Sequence, residues 1–70
     1  MDELQRKQST EALVQVALIE SKALSVGLAE IIAYLQKKEH LAALGTFGGL
    51  EEHWKLLGTV LQAAARLDQK

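Results

Sequence analysis

The sequence predicts an all-α protein: an antiparallel helical hairpin with a long first helix and a shorter second one, assembling as a homodimeric helical bundle. Three observations predict it. Proline is absent, so no residue forces a break by lacking a backbone N–H. Leucine and alanine, both strong helix formers, dominate with thirteen and ten residues. Apolar residues recur at spacings of three, four and seven along most of the chain, the period of a helix with one face in a core.

The first helix is expected over about residues 3–44. Asp2 with Gln5 resembles a capping-box start, and Ser9 and Thr10 offer a second start. Leu13, Ala17, Leu24, Leu28, Ile31 and Leu35 form its apolar stripe. Val14, Val16, Ala23, Ile32 and Tyr34 widen it to about half the circumference at 100° per residue. Ala17, Ser21, Ser25, Ala29 and Ala33 recur every four residues, a spacing that lets helices approach closely. Gly27 marks either a close crossing or a kink.

"GTFGG", residues 45–49, reads as the turn. Gly45 is expected in a left-handed cap, with Phe47 folding back as a plug. The second helix then covers about residues 50–68. Glu51 and Glu52 lie in its first turn, where the helix dipole favours negative charge, and Glu51 can pair with Lys55. Gly58 is expected to be carried within the helix. Ile31, Leu35, Trp54, Leu57 and Leu61 are the expected hairpin core.

With the turn at 45–49, the second helix folds back only to about residue 26, at 1.5 Å per residue. Residues 12–25 are then without a partner in the chain although they are strongly apolar. A second copy is the simplest cover, giving a self-association face of Leu13, Ala17, Glu20, Leu24 and Leu28. Glu20 stands near the middle of that apolar face. It is expected either to reach solvent at the dimer edge or to fix register through Lys22, Lys38 or Arg66 of the other chain. Leu18, Ile19 and Val26 lie off the main stripe and are expected to dock a larger protein.

Composition narrows the function class. Seventy residues allow one domain, residues 1–70, and too little buried surface for much stability alone. The absence of cysteine excludes disulfides and thiolate metal sites and fits a cytoplasmic protein. A net charge of −1 with dispersed lysine and arginine argues against nucleic acid. Residues 12–35 could span a bilayer by length, but Glu20, Lys22 and Glu30 make that costly, so no membrane role is expected.

The segment "EHLAALGTFGGLEEHWKLLG" repeats an EH-x-x-x-LG pattern at Glu39–His40 and Glu52–His53. It is read as two helix turns beside a bend. A histidine-based metal or pH-responsive site at His40 and His53 is the alternative. Zinc needs three or four ligands, and HExxH spacing is missing. No nucleophile accompanies the histidines. The glycines lack the Lys-Ser/Thr of a phosphate loop. The expectation is therefore a non-enzymatic interaction module without catalytic residues, metal or cofactor. It would bind itself and a larger protein, in the manner of an inhibitor, anti-activator, adaptor or chaperone. A structural subunit of a hetero-complex is the other class kept open.

Overall fold

A computed structural model describes residues 3–68, all in helices apart from two short joints: α1, Glu3–Gln36; α2, His40–Gly49; and α3, Glu51–Asp68. Asp2, the expected capping residue, lies outside the described residues. None of these helices is long and apolar enough to cross a membrane.

The chain reverses at residues 37–39, not at 45–49. The stop is a Schellman motif: the Glu39 N–H donates to the Tyr34 carbonyl at 2.8 Å and the Lys38 N–H to Leu35 at 3.0 Å. Lys38 holds the left-handed position, φ 61°, that usually falls to glycine. Gly45 takes no positive φ and is helical, as is the rest of "GTFGG". Each glycine costs a helix only about 1 kcal/mol, which packing readily offsets. The glycines act more mildly at the joint with α3. There the Leu50 N–H donates to the Phe47 carbonyl at 3.0 Å, one tight turn between two nearly continuous helices.

The relocated bend changes which residues have partners. Leu50 sits against Gly27, and His53 against Glu20, so the chain after the bend runs back along α1. Residues 40–68 extend about 43 Å at 1.5 Å per residue, close to the length of α1. The expectation that residues 12–25 lack an intrachain partner therefore fails. Ala17 and Leu24 are buried within the chain, as are Ala43 and Val60 on the return.

Burial picks out one line on each arm. On α1 the less exposed positions include Arg6, Thr10, Leu13, Ala17, Glu20, Leu24, Gly27, Ile31 and Tyr34, alternating in steps of four and three, with Ala23 just off that line. On the return they include Ala43, Thr46, Leu50, His53, Leu57, Val60, Ala64 and Leu67, again in threes and fours, with Gly58 and Ala63 just off that line. This is a 3.5-residue period carried unbroken across the α2–α3 joint, the seam of a two-stranded coiled coil. Small and polar residues fill much of it. Gly27 marks a close crossing, and α1 runs straight through it. A Cβ there would stand 3.0 Å from Leu50 Cγ and closer to both methyls.

Two of the five expected core residues lie on the seam and three do not. Ile31 and Leu57 are half-buried on the seam. Leu35, Trp54 and Leu61 stand on its flank, Trp54 with 69% of its surface exposed, and Phe47 is no plug at 64%. Each of Phe47, Trp54 and Leu61 falls one position past a seam residue, which rotates it out of the contact. The helix expected to run through Gly58 to about residue 68 does so, and Glu51 pairs with Lys55 at 3.1 Å.

Candidate functional site: an apolar face and a polar pair in the seam

The chain brings together two arrangements. One is the Glu20–His53 pair. His53 Nδ1 lies 2.6 Å from Glu20 Oε1, the imidazole N–H donating to the carboxylate. The Glu20 side chain retains 13% of its exposure and that of His53 retains 42%. Both occupy seam positions, where Leu24, Leu57 and Val60 are neighbours along the two lines. Glu20 thus finds its partner within its own chain, not in Lys22, Lys38 or Arg66 of another. His40 starts α2, well away along the return, and is exposed. Among the described residues no group of three or more His, Cys, Asp or Glu could hold a metal ion.

The other arrangement is the flank of the seam. On α1, the position after each alternate seam residue is Val14, Ser21, Leu28 and Leu35; Leu18, Ser25 and Ile32 lie just beyond. The return contributes Phe47, Trp54 and Leu61 at the matching positions. In an antiparallel pair these positions meet on the same side. A groove of about 550 Å³ runs there between Leu24 and Leu28 on one arm and Phe47, Leu50 and Trp54 on the other. A second, of about 440 Å³, adjoins it over Ser21, Ser25 and Ala29, with Leu28, Ile32 and Leu57 as walls. Small side chains make this notch, and large apolar ones rim it.

Of the residues expected to self-associate, Leu28 stands exposed on this face and Leu24, buried, floors its grooves. Leu13 is half-buried and Ala17, Glu20 and Leu24 are used by the intrachain seam. The residues expected to dock a partner are exposed: Ile19 at 62%, Val26 at 61%, and Leu18 less so. Ile19 and Val26 lie on the flank opposite the grooves. Val14, Ile32 and Phe47 were missed as surface residues. Their signal in the sequence is a second seven-residue repeat, Phe47–Trp54–Leu61, running one position out of phase with the seam.

Searches of protein-family models, curated proteins and solved structures found no match to this chain.

Proposed function

We propose that this chain is a non-enzymatic protein-interaction module: an antiparallel helical hairpin that pairs with a second copy and, as a dimer, binds a larger protein to inhibit, adapt or chaperone it. The observation that supports it most is uncovered surface. The chain exposes 5588 Å², whereas a folded monomer of 7.7 kDa exposes about 4,300 Å². Its radius of gyration is 16.1 Å, against about 11 Å for a globular domain of this length. Among the described residues the buried apolar side chains are those of Ala17, Leu24, Ala43 and Val60, and no large one is fully buried. Such a core is too small to hold two helices together, and fifteen large apolar side chains among the described residues remain exposed. Binding, not chemistry, is what an apolar surface of this kind offers. Glu20 and His53 satisfy one another in the seam.

The test has two arms. Light scattering across a concentration series should give twice the 7.7 kDa chain mass; a constant monomer mass overturns the dimer. Affinity capture from the source lysate should recover a stoichiometric protein that Ile19→Glu and Val26→Glu lose. Monomer mass with stoichiometric capture would replace this reading with that of a hetero-complex subunit.

A further inference from the structure

We infer that the second copy covers the groove flank, the face of Val14, Leu28, Leu35, Phe47, Trp54 and Leu61, and that Trp54 of each protomer seats in the Ser21–Ser25 notch of the other. This rests on the self-association proposed above and names its surface. Three observations favour it. First, the area fits. The surface in excess of a compact monomer is roughly 1,250 Å² per chain, more than the ~800 Å² per partner of a stable interface.

Second, charge distinguishes the two flanks. Between Val14 and Leu35 the groove flank of α1 carries no charged residue, and the return adds only Glu51, already paired with Lys55. The opposite flank intersperses Ile19 and Val26 with Glu30, and faces Glu52 and Arg66 on α3. Interface centres are depleted of charge and enriched in aromatic residues, which points to the groove flank.

Third, shape and symmetry agree. Trp54 follows His53, which meets Glu20, so its ring projects near the level of Ser21. The apolar strip runs from Val14 to Leu35 and is centred near Leu24. A two-fold axis parallel to the helices preserves the level of Ser21 and sets α3 of one protomer against α1 of the other, which brings the partner's ring over the notch lined by Ser21, Ser25 and Ala29. Each protomer then supplies both a knob and a hole, as in helical bundles.

Trp54 is the only tryptophan, so its fluorescence reports this contact directly. The experiment measures mass by light scattering and Trp54 emission over a dilution series. It uses wild type, Ser25→Arg, Leu28→Glu and, on the opposite flank, Ile19→Glu. Wild type should show dimer mass with blue-shifted emission that moves to the red on dilution. Ser25→Arg fills the notch at an exposed position without touching the seam, so it tests the face even if Leu28→Glu fails to fold. Each groove variant should raise the dimer dissociation constant by at least about tenfold, as loss of one packed anchor does. Ile19→Glu should leave it unchanged. Dimer mass and blue emission retained by Ser25→Arg overturn the face assignment and leave self-association standing. Dissociation by Ile19→Glu in place of the groove variants does the same. A wild-type monomer at every concentration overturns both.

Discussion

Gly27→Ala should destabilise the fold, although alanine is the better helix former. In an open helix the change would gain about 1 kcal/mol. Gly27, however, is buried at the seam, and a Cβ there meets Leu50 Cγ at 3.0 Å and Cδ1 at 2.8 Å, with Cδ2 nearer still. Those distances force the whole isobutyl group to move, not one methyl. Leu50 also occupies the joint between α2 and α3, where its N–H and carbonyl bond Phe47 and Trp54. Overpacking of this kind costs about 1–3 kcal/mol. Set against the propensity gain, the net loss should be about 1 kcal/mol. Gly45→Ala is the control: a Cβ at that position would meet nothing within 4 Å, so it should gain about 1 kcal/mol. Urea unfolding followed by circular dichroism at one protein concentration measures both. Adding Leu50→Ala to Gly27→Ala should cost less than Leu50→Ala does alone, because the clash disappears. A stabilised Gly27→Ala variant, or strictly additive effects, would refute the close crossing.

Two further expectations concern the bend. Lys38→Gly should stabilise by about 1 kcal/mol, since the left-handed conformation penalises a Cβ and glycine removes that penalty; an unchanged or lower urea midpoint would count against the Schellman stop. Gly45→Ala carries a second message: had the chain turned at residues 45–49, alanine in a left-handed cap would destabilise, so the sign of that one change locates the bend.

The helical class was legible because leucine and alanine at helical spacing leave little choice. The bend was not. Three glycines, Gly45, Gly48 and Gly49, pointed to the wrong place, since a glycine-rich stretch signals a turn only when nothing else stabilises a helix there. The true stop has a lysine where glycine is usual, and its signature lies in backbone bonds from Lys38 and Glu39. The seam was hidden for a related reason. Thr10, Gly27 and Thr46 lie on it, and a search for the most apolar stripe passes over them; Glu20 and His53 lie within the apolar arcs but read there as anomalies. On α3 that search selects Trp54 and Leu61, which belong to the adjoining face. A helix with two apolar faces gives a stripe about half the circumference wide, and its width alone does not say which half meets the nearer helix. The two faces repeat every seven residues one position apart, and the contacts of Leu50 with Gly27 and of His53 with Glu20 assign the seam.

The polar pair in the seam then acquires a role. Small and weakly apolar residues along a seven-residue repeat discriminate poorly between registers, because a slip by one heptad still sets alanine and leucine against one another. Glu20 and His53 meet in one register only. In a slipped pairing both would lose their partner while partly desolvated, at a cost of roughly 1–3 kcal/mol for each unsatisfied group. Uniqueness is thus obtained from two residues that add little net stability, the role best attested for lone polar groups in coiled coils. Glu20→Ala should therefore cost more than a surface change, about 1 kcal/mol, by leaving His53 unpaired. Replacing both, Glu20→Leu with His53→Leu, should raise the urea midpoint above wild type while broadening amide resonances as registers interconvert. A double variant less stable than Glu20→Ala, or equally stable with sharp, singly populated resonances, would show that the pair contributes stability or nothing, and that register is fixed elsewhere along the seam.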